Sequence, residues 1–463
     1  MSFETWVILL GPNVRVEGNY PNRNVSSVSI DTRTLQPGDI YFAINGDNFD
    51  GHNFINPAFE AGAIACVARE GWEPDWKISD QNIIVRCDEP LESLQVLAKN
   101  YRRKFSIPVL GLTGTNGKTT TKEMIAAVLG SKYQVTKTIG NLNNHIGTPL
   151  SLLQIDKNTD IAIIEMGMNH AGEIARLCEF AAPDFGLITN IGAGHLGYFS
   201  DIEEIAQAKG ELFHALPERG TAFVNADDPR VVRESEIVKH KITYGFSTET
   251  DIFGTDLETD HNGFGKFKLQ NRVHVQLHVP GRHQLHNALA ACAVGMHFGI
   301  SEFDIAEALK QFTCISKRLE LIEFGSSLVI LDAYNSNPDS LIPAFETLSY
   351  LAHRRKGRAL AVLGDMLELG NQSKIEHESA GKTAVEHGIE ALFLFGPESK
   401  YTLESFKEAG EKTAFHFDDK RELASYVSKI LRENDVLLIK GSRGMQMEEV
   451  WQELQNLDET LRS

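Results

Sequence analysis

Apolar and polar positions change period twice along the chain. In residues 1–104, short apolar runs at Val25–Ile30, Asp39–Ile44, Ile64–Val67 and Ile83–Val85 are separated by turn-forming residues and predict strands. Leu91, Leu94, Leu97 and Tyr101 recur at helical spacing and predict a helix over Leu91–Phe105. From Ile107 the chain alternates strand, turn and helix, with apolar runs at Ile107–Leu112, Gln134–Thr138, Asp160–Glu165, Phe185–Asn190 and Thr221–Asn225. Apolar strands alternating with amphipathic helices imply a mainly parallel sheet covered on both faces. Between Asp251 and Pro280 the period drops to two, through Phe264, Phe267 and Leu269 and then Val273, Val275, Leu277 and Val279. Antiparallel strands appended to the parallel sheet are expected there, followed by a helix over His286–Phe298. A third unit begins near Cys314–Arg318. Its predicted strands, Leu328–Leu331, Ala359–Leu363, Ala391–Phe395 and Val436–Ile439, alternate with helices at Ser340–Leu351, Ile375–His387, Tyr401–Ala409 and Lys420–Leu431.

The expectation is an α/β protein of three domains: a small mixed α/β unit over 1–104, a central mainly parallel sheet over 105–314, and a doubly wound, Rossmann-like unit over 315–463. A length of 463 residues agrees with that number, at ~100–200 residues per domain. The third unit has no Gly-x-Gly-x-x-Gly after its first strand. Forty-five Lys and Arg oppose 63 Asp and Glu, a formal charge of −18. Such a surface repels phosphate backbones and anionic lipid, which argues against nucleic-acid or membrane-surface binding but leaves room for one small anion in a basic pocket. The five cysteines are scattered, without a Cys-x-x-Cys pair, so neither a disulfide framework nor structural zinc is expected. The apolar run Trp6–Leu10 is too short for a signal peptide, and nothing approaches the ~18 apolar residues of a membrane span. A cytoplasmic, reduced monomer is expected.

Chemistry concentrates at Thr113-Gly114-Thr115-Asn116-Gly117-Lys118-Thr119-Thr120, between a buried strand and a helix carrying Met124, Ile125, Val128 and Leu129. Glycines let backbone N–H groups curl around phosphate oxygens at a helix N-terminus. Lys118 would reach the terminal phosphates and the Thr119 hydroxyl would ligate Mg²⁺, so ATP or GTP binding is expected. The usual spacing is Gly-x-x-x-x-Gly-Lys-Ser/Thr, and Leu112 stands where its first glycine belongs. Glu165 ends an apolar strand, on the edge where parallel sheets bind ligands; an acid there is either an ordinary strand end or a metal ligand, and its position favours the metal. His195 falls on the same edge, a weak signal by itself. Lys209 sits among Ile202, Ile205, Ala206 and Leu212, where the default is a surface lysine lying along apolar neighbours.

These strings, with Glu165-Met-Gly, Gly194-His195, Ala208-Lys209-Gly-Glu, His286-Asn287-Ala-Leu-Ala-Ala and Lys317-Arg318, resemble in order the Mur ligases, ATP-dependent amide-forming enzymes of bacterial cell-wall precursor synthesis. The resemblance covers nearly the whole chain. It implies ATP and Mg²⁺ as cofactors, Lys118, Glu165, His195, Lys209 and Arg318 as catalytic residues, and Thr119, Glu165, His195 and Lys209 as metal ligands. Lys209 would carry a carboxylated amine. Asn287 would contact adenine, Arg318 the phosphates and Asp332 the ribose. Ser29, Asp31, Thr32 and Arg33, with Asn45, Gly46, Asp50 and His52, resemble the UDP-sugar site of the family's last two ligases, which assigns that role to residues 1–104. Asn141, Asn143 and Asn144 resemble the loop that contacts the muramoyl peptide.

Asp332-Ala-Tyr334-Asn335-Ser-Asn337-Pro338, Leu363-Gly-Asp365-Met366-Leu-Glu368-Leu-Gly370 and Lys440-Gly-Ser-Arg443-Gly resemble the ligase that acts last. That resemblance implies joining D-Ala-D-Ala to UDP-N-acetylmuramoyl-tripeptide through an acyl phosphate, and residues 315–463 would bind the incoming dipeptide. Read without the family, Asn335–Pro338 is a turn starting a helix and Lys440-Gly441 a helix-start loop. The Asp-Asn-Pro-Arg or Asp-Asn-Pro-Ala string of the ligase adding lysine or diaminopimelate is absent, and Asp228-Pro229-Arg230 reads as a turn. That ligase is the first alternative. A P-loop switch, hydrolysing nucleotide without either substrate, is the second.

Overall fold

The computed structural model describes residues 1–18, 23–46, 49–76, 82–194, 197–410 and 413–462. Each of three sheets is built from one continuous stretch of chain. The first has five strands in the order Arg15–Glu17, Ile84–Cys87, Ala65–Arg69, Ile40–Phe42, Val28–Ser29. All its pairs are parallel except the first. The predicted helix spans Pro90–Arg102, with proline at its first turn, and buries Leu94, Leu97 and Ala98. The run Trp6–Leu10 belongs to a helix, Phe3–Leu10, that sequence reading did not assign. Ser2 caps it by accepting from Thr5 N, and Phe3, Trp6, Leu9 and Leu10 are buried.

The second sheet runs Val273–Pro280, Phe264–Leu269, Ile252–Thr259, His240–Gly245, Thr221–Asn225, Phe185–Ile188, Val109–Thr113, Ile161–Glu165, Val135–Lys137. Pairing is parallel from Val135–Lys137 across to Ile252–Thr259, and the last two pairs are antiparallel. The appended antiparallel strands are therefore present. Both faces are covered. Leu110 and Leu112 pack with Met124, Ile125, Val128 and Leu129 on one side, while Val109, Ala162 and Ile164 pack with Ile174, Leu177 and Ile205 on the other.

The third sheet runs Glu320–Phe324, Ser327–Asp332, Val436–Lys440, Ala359–Gly364, Ala391–Phe395, Thr413–Phe417, parallel apart from its first pair. It too has an apolar cluster on each face, the doubly wound arrangement. Four strands, Arg15–Glu17, His240–Gly245, Glu320–Phe324 and Thr413–Phe417, and, among the longer helices, Glu302–Gln311 and Glu448–Arg462 were not read from sequence. The helix Pro338–Arg355 bridges units. Near its C-terminal end Tyr350 Oη donates to the carbonyls of Thr259 (3.1 Å) and Asp260 (2.9 Å) in the antiparallel extension. Among the described residues no helix is long and apolar enough to cross a membrane.

Candidate active site

Parallel strands deliver their carboxyl ends to one edge, and the edges of the second and third sheets border a cleft of about 970 Å³. Into it come the loop after Val109–Thr113, Glu165 at the end of its strand, Asp332 and Lys440 at the ends of theirs, and the start of helix Pro338–Arg355.

The departure at Leu112 has a simple cause: Leu112 is still in the strand, fully buried, and the chain turns only at Gly114. Gly114 has φ +146°, and a Cβ there would meet Thr189 Oγ1 at 1.9 Å. Gly117 has φ +78°, and a Cβ would meet Asn287 Oδ1 at 2.5 Å. These are the two glycines the loop requires. Gly114→Ala is expected to cost about 1–3 kcal/mol from backbone strain, with crowding added, and denaturant unfolding would measure it.

Lys118 is the first residue of the helix Lys118–Gly130, half-buried rather than exposed. Its Nζ folds back to donate to the carbonyls of Gly114 (2.8 Å) and Thr115 (3.0 Å). Burial, assisted by Arg318, lowers its pKa against the opposing pull of Glu165. Thr113 Oγ1 donates to Met166 O at 2.8 Å, Thr115 Oγ1 accepts from Gly192 N at 2.8 Å, and Asn116 N donates to Asn190 Oδ1 at 3.0 Å. Thr120 is buried in the helix.

Glu165 is 1% exposed. Its Oε1 accepts from Thr119 Oγ1 (3.2 Å) and from Asn143 Nδ2 (2.9 Å), and its buried Oε2 has no hydrogen-bond partner. Lys122, wholly buried, brings Nζ within 3.4 Å of Oε2 and donates to Thr138 O at 2.7 Å. A hydroxyl and a carboxylate sharing a position, with one orphaned oxygen, suit a hard cation completed by phosphate and water oxygens. Among the described residues no group of three or more His, Cys, Asp and Glu is arranged to hold a metal alone. His195 lies outside the described residues.

Lys209 is not on the surface. It is 1% exposed, because Ile205, Lys209 and Leu212 share one helix face and that face is inward. Its Nζ donates to Gly114 O at 3.1 Å, the carbonyl that Lys118 also uses. Burial, and then the charge of Lys118, push its pKa well below the ordinary 10.5. That favours a neutral amine.

Arg318 reaches across from the third unit, where NH2 donates to Thr119 Oγ1 at 3.1 Å. Its guanidinium lies 3.9 Å from the ring centroid of Tyr334. Flanking residues Lys317 and Leu319 hold left-handed φ of 63° and 49°, strain of the kind that collects at functional sites. Asp332 is ion-paired to Lys440, Oδ2 to Nζ 2.6 Å, while its Oδ1 accepts from Leu319 N at 3.2 Å. Lys440 is 2% exposed and also donates to Asn335 O at 3.0 Å. It closes a strand and is not part of a helix-start loop.

Asn337 does begin a helix, with a capping box to Ser340, and it also donates to Asn116 Oδ1 at 3.0 Å across the cleft. Asp339 reinforces that contact by accepting from Ala193 N. Asn287, buried, accepts from Thr121 Oγ1 at 3.0 Å and donates to Gln284 Oε1 at 2.8 Å. Asn141 is exposed and lines the cleft, whereas Asn144 Oδ1 is taken by Ile146 N and Gly147 N.

The eight N-terminal positions do not join this group. None lines the cleft. Ser29 Oγ donates to Asp31 O (3.0 Å), and Asp31 pairs with Arg33 beside the turn containing Thr32. Asn45 bridges Asp50 near Gly46. His52 is buried between Asp50 Oδ1 (2.7 Å) and Arg69 N (3.0 Å). Lys122, Asn190, Asp228 and Asp339 were missed by sequence reading. Asp228 does not make a plain turn: it caps the helix Pro229–Glu234 and accepts from Ile191 N at 2.8 Å. The Asp-Pro pair at a helix start was its available signal.

Three family models match the chain: Mur ligase family, catalytic domain, over residues 24–102; Mur ligase middle domain over 112–295; and Mur ligase, glutamate ligase domain, over 317–443. The chain is 37% identical over 440 residues to the UDP-N-acetylmuramoyl-tripeptide--D-alanyl-D-alanine ligase of Bacillus subtilis (strain 168), covering 94% of both chains. It superposes on MurF from Acinetobacter baumannii with a TM-score of 0.87, at 27% identity and 98% coverage of each chain. On the MurF ligase of Thermotoga maritima in complex with ADP the TM-score is 0.81, at 29% identity, covering 95% of this chain and 99% of that one.

Proposed function

Because this chain belongs to the Mur ligase family, we propose that its cleft activates a peptide carboxylate with ATP and joins it to an amine, the peptide being UDP-N-acetylmuramoyl tripeptide and the amine D-Ala-D-Ala. One observation carries the proposal: Arg318 from the third unit and Glu165 from the second sheet meet on the same Thr119 hydroxyl at the mouth of a phosphate loop. A site for nucleotide hydrolysis alone has no need of a second sheet edge bearing Tyr334, Lys440 and Asn337. The high coverage of ligases with that name supports the substrate pair.

A carboxylate is a poor acyl donor because its oxygen leaves badly. Transfer of the γ-phosphoryl group makes an acyl phosphate and ADP; attack by the amine then forms the amide and releases phosphate. Carboxylate and triphosphate repel, so Lys118 and Arg318 supply positive charge where it accumulates. Lys118 would exchange its two loop carbonyls for phosphate oxygens. A Mg²⁺ held by Thr119 and Glu165 would add Lewis-acid charge neutralisation. Lys209, whose neutral form burial favours, would bond CO₂ through its nitrogen lone pair and release a proton, and the resulting carbamate would offer an oxygen ligand. Asn287 would face the adenine and Asp332 the ribose. Tyr334, Asn335 and Asn337 would meet the dipeptide side of the cleft, and residues 1–104 would hold the UDP-sugar. Closure onto the substrates would exclude water from the acyl phosphate.

Substrate-dependent ADP release tests the reading. Release is expected to require both UDP-muramoyl tripeptide and D-Ala-D-Ala, with free lysine or diaminopimelate poor in place of the dipeptide. Addition of a free diamino acid to a shorter precursor would move the chain to the first alternative, and release without either substrate to the second.

A further inference from the structure

The family resemblance assigns Asn143 to the muramoyl peptide, but its side chain, half-buried at the cleft wall, is bonded to Glu165. Nδ2 donates to Glu165 Oε1 at 2.9 Å, and its own carbonyl accepts from Gly167 N at 2.8 Å. Gly167 allows this approach: a Cβ there would lie 3.0 Å from Asn143 Oδ1. The loop's other end is tied to the same strand end. Thr138, wholly buried, accepts on Oγ1 from Glu165 N at 3.0 Å and on its carbonyl from Lys122 Nζ at 2.7 Å. Residues 139–142 between these ties are half-buried or exposed, Ile139 61% so.

From this arrangement we propose that Asn143 is a positioning residue for the cation seat, and that through it the loop 139–146 is coupled to nucleotide binding. The inference rests on the reading of Thr119 and Glu165 as that seat. A carboxylate oxygen has two lone pairs. On Oε1 one faces the Thr119 hydroxyl, whose oxygen accepts from Arg318 and has a second lone pair for a cation once its proton turns away and frees the place. The other is occupied by Asn143, which fixes the rotation of the carboxylate without competing for the ion. Lys122, near Oε2, offsets the buried charge. Partners of this kind orient ligating carboxylates and are worth about 10–100-fold in metal affinity. Coupling is reciprocal: a cation that stiffens Glu165 stiffens the loop, and a peptide resting on the loop tightens the cation.

The test is equilibrium binding of ADP by calorimetry across a Mg²⁺ series, with amide hydrogen exchange of residues 139–146. In the wild-type chain Mg²⁺ with ADP should slow exchange in the loop. Asn143→Ala should need about 10–100-fold more Mg²⁺ for the same gain in ADP affinity and should lose the added protection. Asn143→Leu, similar in size without the donor, should do the same. An unchanged Mg²⁺ requirement in both variants, with only the KM for UDP-muramoyl tripeptide raised, would make Asn143 a substrate contact and overturn the inference. ADP binding indifferent to Mg²⁺ in the wild-type chain would instead overturn the cation seat itself.

Discussion

Lys209→Ala should lose ligase activity by about 10²–10³-fold while remaining folded, and short carboxylic acids added to the assay should restore part of it. Lys209→Arg should not recover, because guanidinium keeps its charge and cannot form a carbamate. The expectation follows from burial: a lysine 1% exposed, beside Lys118, has its ammonium form penalised twice. In the unfolded chain the same amine takes a proton up to its ordinary pKa near 10.4. Between the depressed folded value and that value the unfolded state therefore binds more protons, and the unmodified protein gains stability as pH rises. Unfolding titrations across that interval should show the slope in wild-type chain freed of CO₂ and lose it in Lys209→Met. A fully active Lys209→Arg enzyme would return the residue to a structural role.

Lys118→Ala is expected to reduce turnover by a similar ~10²–10³-fold, with little change in Tm. The missing ammonium leaves the Thr115 carbonyl facing a cleft that water can enter, while the Gly114 carbonyl keeps its bond from Lys209 Nζ. It should also have a second effect. Removing the like charge beside Lys209 lets that amine regain part of its ordinary basicity, so CO₂ uptake should become weaker at neutral pH. Steady-state rates across a bicarbonate series would read both effects, and near-normal activity in a folded Lys118→Ala chain would remove the phosphate-loop assignment.

Regular alternation made the two large sheets legible, because each buried strand is an unbroken apolar run between helices. The strands that escaped are mixed in exposure. His240–Gly245 begins His-Lys-Ile-Thr and buries only its last two residues, and Thr413–Phe417 buries only Ala414. The C-terminal helix was readable in principle, since Val450, Trp451, Leu454 and Leu457 fall at helical spacing. In the site, Glu165 could be placed from its strand-end position. Lys209 could not be placed by the rule that lysines stay at the surface, although its spacing of four from Ile205 and three to Leu212 puts it on the buried face. The pairs that join distant segments, Asn116 with Asn337 and Arg318 with Thr119, leave no periodic trace, being 221 and 199 residues apart.

The helix Pro338–Arg355 is held at both ends by other parts of the chain, and this makes it a lever. Its fulcrum is Tyr350, bonded to the Thr259 and Asp260 carbonyls; its working end is Asn337, bonded to the phosphate loop. At ~1.5 Å per residue the arm between them is about 20 Å long. A swing of about 10° around the fulcrum then carries the far end about 3.5 Å, more than a hydrogen bond can stretch. A rotation of that size is thus enough to release Asn116, and because Leu341, Phe345 and Leu348 pack against Ile330, Ala361 and Leu438, the third sheet travels with the helix as one body.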